Sequence, residues 1–254
     1  MQILRKIRVA LTPRSGLLKT KLSNGLIVYG RNRTGYGGRG IYVLRESIEP
    51  EFEHLEALLG NEGVFVDVGA STGIYALKAA KHFGSASVVL ALEPFPEVCA
   101  LLQRNVQANR LSTVRVRCLC AGAHTGVRTL WLNDERPSYF SLAERRDDAR
   151  GLSVLTVALD DLLPWEGLDR VDYLKIDVEG AEEEILAGAR RTIQHCRPII
   201  QAEINIRRFV ARLPAYTVFQ ASASPNLVYI PDEHPKIEVP ERLGWRRLKG
   251  SRAS

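Results

Sequence analysis

Val64–Gly73 reads VFVDVGASTG and runs directly into Ile74–Phe83, IYALKAAKHF. Val64, Phe65, Val66 and Val68 form a short apolar run rich in β-branched residues, too short for a helix and typical of a buried parallel strand. A glycine turn follows, from Gly69 through Ala70, Ser71 and Thr72 to Gly73, and then Ile74, Leu77, Lys78 and Lys81 recur at helical spacing. Strand, glycine turn and helix build a nucleotide-type site. Small residues let the backbone approach a ligand, and the free N–H groups at the start of the new helix face it.

The glycine spacing narrows the ligand. A dinucleotide fingerprint needs G-x-G-x-x-G, whose second glycine makes room for a pyrophosphate. Here Ser71 occupies that second position, and an acid, Asp67, sits on the strand just before the turn. D-x-G-x-x-x-G suits a ligand with a cationic amino group and no phosphate, which points to S-adenosylmethionine. A second buried strand, VVLALEP at Val88–Pro94, ends in Glu93, about 20 residues past the turn, where a ribose-binding acid belongs.

VFVDVGASTG, LALEPFPEVCALLQRNVQANRL at 90–111 and VDYLKIDVEGAEEEIL at 171–186, in that order, resemble the FkbM family of S-adenosylmethionine-dependent methyltransferases. The resemblance is strong from Gly63 to Asn205 and fades toward Pro231. It implies an α/β class I methyltransferase fold: a Rossmann-like seven-stranded sheet, parallel with one antiparallel strand, flanked by helices. It also implies methyl transfer to a hydroxyl of a sugar, a glycolipid or a natural-product small molecule. The cofactor contacts it implies are Asp67, the turn Gly69, Ala70, Ser71, Thr72 and Gly73, then Glu93, Pro94 and Phe95, with Ala121, Gly122 and Asp177. Of these, Ala121 and Gly122 lie at a strand's carboxyl end, where class I enzymes clamp the adenine. Around this domain, at 61–235, the chain divides into an N-terminal accessory segment at 1–60 and a basic C-terminal tail at 236–254.

Composition sets the bounds. With 254 residues and 45% hydrophobic content there is material for one sizeable core. Four cysteines make no disulfide framework; Cys118 and Cys120, two apart on an expected strand, share a face and cannot bridge. No C-x-x-C and no Cys/His group with zinc spacing occurs, so free thiols and a reducing, cytoplasmic setting are expected. Basic residues interrupt the apolar ones throughout Met1–Leu22, so no secretory signal is expected there. Leu213–Pro231 is uncharged but broken by Pro214 and Pro225, so a soluble protein is expected. The net charge of +6 gathers at the two ends. Solvated, partly disordered ends are the plain account. The functional one is an anionic partner, best served by a membrane-surface helix with Ile3, Leu4, Ile7 and Leu11 on one face.

Along the accessory segment, Leu22–Gly30 (LSNGLIVYG) reads as a hairpin around Asn24-Gly25. RNRTGYGGRG at 31–40 reads as a lid or connection, with Tyr36 and its arginines as candidate acceptor contacts. Glu49–Leu59 reads as a helix with Pro50 early. Farther on, Pro96–Asn109 is a helix and Leu111–Leu119 a strand with Val114, Val116 and Cys118 inward. His124 is either a base or an exposed loop histidine. Val127–Leu132 and Ser153–Leu159 are extra strands, around a polar loop at 133–151 whose Tyr139 and Phe140 are further acceptor candidates.

VDYLKIDVEG, Val171–Gly180, is the second concentration of chemistry. Lys175, Asp177 and Glu179 emerge near the carboxyl end of a strand, where open α/β sheets bind ligands. Asp177 or Glu179 can take the proton of an acceptor hydroxyl, and Lys175 can orient its oxygen. The structural alternative is a Lys175–Glu179 ion pair with acids favouring the start of a helix over Ala181–Cys196. Asp177, Glu203 and Asn205 resemble the magnesium site of catechol-type methyltransferases, but no metal is assigned. Strands at 198–202, 216–220 and 226–230 complete the sheet, with a short helix after the first whose apolar side is Ile206, Phe209, Val210 and Leu213. An RNA or DNA methyltransferase using the basic ends is the alternative enzyme, disfavoured by the lack of an N/D-P-P-Y/F motif. A non-catalytic binder is disfavoured by the intact motifs.

Overall fold

The computed structural model describes residues 2–33, 38–132, 150–178, 180–203 and 215–248. The N-terminal segment folds as helix α1 (Gln2–Leu11), hairpin strands β1 (Leu17–Lys21) and β2 (Ile27–Arg31), then helices α2 (Gly38–Leu44) and α3 (Pro50–Leu58). Gly25 takes a positive φ of 86° in the expected Asn24-Gly25 turn, and β1 pairs with β2 in an antiparallel register from Leu17↔Arg31 to Lys21↔Ile27. Two asparagines of a later helix hold the hairpin's free edge as a neighbouring strand would. Asn109 exchanges bonds of 2.8 and 2.7 Å with the backbone of Ile27, and Asn105 exchanges bonds of 2.7 and 2.9 Å with that of Tyr29.

The main body alternates β3 (Val64–Val68), α4 (Ile74–His82), β4 (Val88–Leu92), α5 (Pro96–Asn109) and β5 (Val114–Arg117). A three-stranded side sheet follows from β6 (Cys120–Ala121), β7 (Gly126–Leu132) and β8 (Arg150–Val157), ordered β6-β8-β7. Then come α6 (Leu159–Trp165), β9 (Tyr173–Ile176), α7 (Glu182–Gly188), α8 (Arg190–Cys196), β10 (Ile199–Glu203), β11 (Tyr216–Gln220), β12 (Asn226–Pro231), α9 (Val239–Arg242) and β13 (Arg246–Arg247). The main sheet is ordered β13-β11-β12-β10-β9-β3-β4-β5. β5, β4, β3, β9 and β10 are mutually parallel, and β12 runs against both β10 and β11.

This order decides where a ligand belongs. From β3 the chain winds outward to β4 and β5, then returns to place β9 on β3's other side. The switch point therefore falls between β3 and β9, at their carboxyl ends. β3 is buried on both faces, as a strand covered by helices must be. Phe65 points into one core layer with Leu77 and Tyr173, while Val64, Val66 and Val68 point into the other with Leu174 and Ile176.

The structure departs from the sequence reading in four places. The main sheet has eight strands rather than seven: Trp245 is buried, and β13 pairs with β11, so the C-terminal segment expected to be solvated folds onto the sheet as far as Leu248. The helix expected over Ala181–Cys196 breaks at Ala189 (φ −111°, ψ 12°), and Asp160 caps the second part, accepting the N–H groups of Arg191 and Thr192 at 2.9 and 2.8 Å. The strand expected over Leu111–Leu119 ends at Arg117, leaving Cys118 exposed and Cys120 buried on another strand, so the two do not share a face. A helix, α6, forms through Pro164 before β9. The helix side expected around Ile206, Phe209, Val210 and Leu213 lies outside the described residues.

Candidate functional site

The register of two neighbouring strands creates the site's centre. Asp67 and Lys175 are cross-strand partners on β3 and β9, so their side chains leave the sheet on one face. Both side chains are buried, with Lys175 Nζ 3.7 Å from Asp67 Oδ1 and 2.9 Å from Asp177 Oδ2. Nζ also lies 4.6 Å from the centre of the Tyr75 ring, a cation–π distance. Burial opposes the ammonium charge, but the carboxylates of Asp177, Asp67 and Glu49 outweigh it and hold Lys175 above the usual lysine range. Asp67 is pushed upward by burial while Lys175 pulls it back, and its Oδ2 accepts the Ala76 N–H at 3.2 Å.

The glycine turn is shaped by the protein's own packing. Gly69 has φ 76°, and a Cβ there would sit 2.0 Å from the Asp177 carbonyl oxygen; Gly73 has φ 87°, and its Cβ would meet Leu102 at 2.2 Å. The first glycine lets the β3 and β9 ends close on one another, and the second lets α4 approach α5. Glu93 then clasps the turn from the side, accepting the N–H groups of Ser71 and Phe95, each at 2.9 Å. Burial pushes its carboxyl up to about 7.

A cleft of about 170 Å³ opens in front of this centre. Gly69–Thr72, Lys175 and Asp177 line it from the turn and the end of β9, and Ile41, Ile48 and Glu49 line it from the N-terminal segment. Glu49 is the functional candidate that the sequence does not announce. It precedes Pro50, which favours its extended backbone (φ −146°, ψ 139°), and at the N-cap of α3 its carboxylate makes no cap bond. Instead Oε2 accepts the Tyr75 hydroxyl at 2.6 Å. Behind Tyr75, Gln201 Nε2 donates to the Tyr75 oxygen at 3.1 Å, and the Tyr173 hydroxyl donates to Gln201 Oε1 at 2.8 Å. Every donor in this row points toward Glu49, so the buried row fixes the place of its carboxylate.

The model of the family described as Methyltransferase FkbM domain matches residues 67–223. The chain is 32% identical over 186 residues to Methyltransferase sdnD of Sordaria araneosa, covering 58% of this chain and 71% of that one. It is 31% identical over 77 residues to the 2-O-methyltransferase NoeI of Sinorhizobium fredii, covering 30% and 32%. Among solved structures, the FkbM methyltransferase of Methylobacillus flagellatus aligns with a TM-score of 0.47 and 19% identity, covering 75% of this chain and 53% of that one. The chain belongs to the FkbM methyltransferase family. It is an S-adenosylmethionine-dependent methyltransferase with a class I-like α/β fold.

In this FkbM methyltransferase the expected site residues divide into three groups. Gly69, Ala70, Ser71, Thr72, Lys175 and Asp177 line the cleft. Asp67 lies buried beneath it, its Oδ1 without a hydrogen bond, and Gly73 starts α4. Glu93, Pro94, Phe95, Ala121 and Gly122 fall outside that lining: Phe95 is the N-cap of α5, and buried Ala121 and Gly122 follow one another at the end of β6. His124 is exposed, as its plain reading had it. Glu179, Tyr36, Tyr139, Phe140, Asn205 and the Glu203 side chain lie outside what is described. Lys175 finds its acids in Asp177 and Asp67. Among the described residues no group of three His, Cys, Asp or Glu could hold a metal ion, and no helix is long and apolar enough to cross a membrane.

The donor set fits the cofactor. Carboxylates of Glu49 and Asp177 line the cleft, and a third, Asp67, is buried 3.7 Å from the Lys175 ammonium. A donor carrying an ammonium and a sulfonium suits that charge, whereas a pyrophosphate does not.

Proposed function

We propose that the chain methylates a hydroxyl oxygen of a sugar, a glycolipid or a natural-product small molecule, with S-adenosylmethionine held against the Gly69–Gly73 turn. The observation that carries this reading is that a fixed ammonium, Lys175, and a carboxylate, Glu49, line the same cleft. The name of NoeI, a 2-O-methyltransferase, supports oxygen as the acceptor atom. Four free cysteines fit a reducing, cytoplasmic location.

When bound, the cofactor supplies an electrophilic methyl group. The chain's own residues have two further tasks. Lys175, with one N–H committed to Asp177, turns another toward the acceptor oxygen and stabilises the charge that develops as its proton leaves. Glu49 Oε1, on the carboxylate whose other oxygen Tyr75 holds, takes that proton and passes it to solvent. With the cofactor bound, its sulfur–methyl bond would be exchanged for the acceptor's O–CH3 bond, while the hydroxyl proton goes to Glu49 and on to solvent. Asp67 anchors Lys175 and the start of α4, and Asp177 fixes the Lys175 ammonium. Glu179 keeps its place in the same motif as a candidate acceptor contact.

The test is transfer of isotope-labelled methyl from S-adenosylmethionine to a panel of methyl glycosides, glycolipids and phenolic natural products, with an RNA pool and a DNA pool alongside. Label on a hydroxyl of the first group supports the reading. Label only on nucleic acid moves the chain to the alternative enzyme class, and absence of cofactor binding by calorimetry removes both.

Glu93 carries a pH prediction for the same site. Its carboxyl is raised from the ordinary 4.5 to about 7. The unliganded fold therefore loses stability as pH climbs from the unfolded pKa to the folded one, because the buried group must ionise. Ribose hydroxyls donating to Glu93 favour the ionised form, so cofactor affinity should rise about tenfold between pH 6 and pH 8. Calorimetry at both pH values checks this; Glu93→Gln should bind weakly and lose the dependence. An equal affinity at both pH values for the unaltered enzyme removes Glu93 from the ribose role.

A further inference from the structure

Helix α1 is mounted with its apolar side outward. Ile3, Leu4, Ile7 and Leu11 are 74, 70, 50 and 80% exposed, and they share one face at i, i+4, i+8 spacing. The inward side is small and polar in its anchoring: Val9 is buried, Asn32 Nδ2 donates to the carbonyls of Val9 and Thr12 at 2.7 and 2.6 Å, and Arg5 donates to Val43 of α2 at 3.2 Å. Lys6 and Arg8, both exposed, lie about 100° to either side of the outward stripe. A helix packed for water turns its apolar face to the core; this one is fastened by polar bonds and offers the apolar face away from it.

The surroundings have the same character. Leu17 and Leu44 are also exposed, so six of the nine exposed large hydrophobics among the described residues fall within the first 44 positions. The outward residues of β1 are Leu17, Lys19 and Lys21, and α2 packs against both α1 and β1. Residues 1–45 hold ten Lys and Arg and no acid, while the whole chain carries +6, so residues 46–254 carry a net −4. Positive charge flanking an apolar stripe is complementary to a surface with an anionic rim above a hydrocarbon layer. A nucleic acid would use the charge and leave the stripe in water; a second copy would bring ten like charges against ten.

We propose that α1 lies in the interface of an anionic lipid bilayer, its stripe Ile3, Leu4, Ile7 and Leu11 inserted among the acyl chains and Lys6, Arg8 and Arg14 at the headgroups. This surface is independent of the methyl-transfer reading. Because α2 carries the Arg5 contact and also supplies Gly40 and Ile41 to the cleft, docking sets the cleft beside the bilayer, which favours the glycolipid branch of the acceptor class.

The experiment is co-sedimentation of the full chain with phosphatidylcholine vesicles and with phosphatidylcholine vesicles containing phosphatidylglycerol. Binding to the anionic vesicles should be at least about tenfold stronger, and 1 M salt should weaken it. Ile7→Asp and Leu11→Asp should each lower partitioning by about tenfold or more, and Lys6→Glu with Arg8→Glu should erase the anionic preference. All four residues lie outside the cleft, so unchanged circular dichroism and cofactor affinity show that the variants fold. The proposal is overturned by a wild-type chain that stays in the supernatant, or by Ile7→Asp binding as wild type does. It is also overturned by a wild-type dimer that Ile7→Asp splits without any vesicle binding, which assigns the stripe to self-association.

Discussion

Lys175→Met should abolish methyl transfer and cost about 3–5 kcal/mol of folding stability at pH 8, the scale for leaving one partner of a buried pair alone. The reason is Asp67, which is fully buried, while Asp177 is half-exposed and keeps its water. With the ammonium gone, Asp67 retains one backbone donor, the Ala76 N–H. Its carboxyl, already raised by burial, then loses the one cation that pulls it down. A carboxyl whose folded pKa lies above its unfolded value is stabilising when protonated, and that contribution is lost as pH rises through the folded pKa. The cost of Lys175→Met should therefore be small near pH 5 and full at pH 8. Denaturant unfolding at the two pH values measures it, and Asp67→Asn in the Lys175→Met background should recover part of the loss at pH 8 only. A variant as stable as wild type at pH 8 would falsify the ion-pair account of this centre.

Much of this centre is written in the chain, and the part that is not has a physical reason. Apolar runs ending in Asp67, Glu93 and Lys175 declare buried parallel strands whose polar residues must cluster at one edge. The register that sets Asp67 opposite Lys175 is in neither strand alone. It follows from packing Phe65 on Tyr173, whose rings stack at 5.0 Å. The glycines of the turn are legible as glycines, but their reason is not: the chain shows small residues beside a ligand site, whereas the structure shows a carbonyl 2.0 Å from where the Gly69 Cβ would be. β13 escapes because two arginines have no strand period, and their pairing depends on where Trp245 docks. α6 escapes because Pro164 reads as a breaker, although it sits near the helix's end. Glu49 escapes because an acid before a proline at a helix start has an ordinary explanation, the helix dipole. Only the fold reveals that its side chain turns away from its own helix.

That residue carries the other large effect. Glu49→Gln should lower kcat by about 10²–10⁴, the usual contribution of a positioned general base, on whichever acceptor the panel identifies. The substitution is nearly isosteric, and the amide oxygen can still accept the Tyr75 hydroxyl, so the row from Tyr173 through Gln201 should survive. What disappears is a basic oxygen facing the cleft. Three measurements separate this from other roles. Cofactor affinity by calorimetry should fall far less than kcat, because the proton taken is the acceptor's and Glu49 adds only one of several charges around the cofactor; a loss in affinity that matches the loss in rate would make Glu49 an anchor of the cofactor's ammonium instead. Glu49→Asp, which keeps a carboxylate, should retain more of the rate than Glu49→Gln does. Tyr75→Phe should lower kcat less than Glu49→Gln does, since it removes the 2.6 Å bond that positions the carboxylate and leaves the carboxylate itself in place. A Glu49→Gln enzyme with wild-type kcat returns the proton to Asp177 or Glu179, and the N-terminal segment then shapes the cleft without taking part in the chemistry.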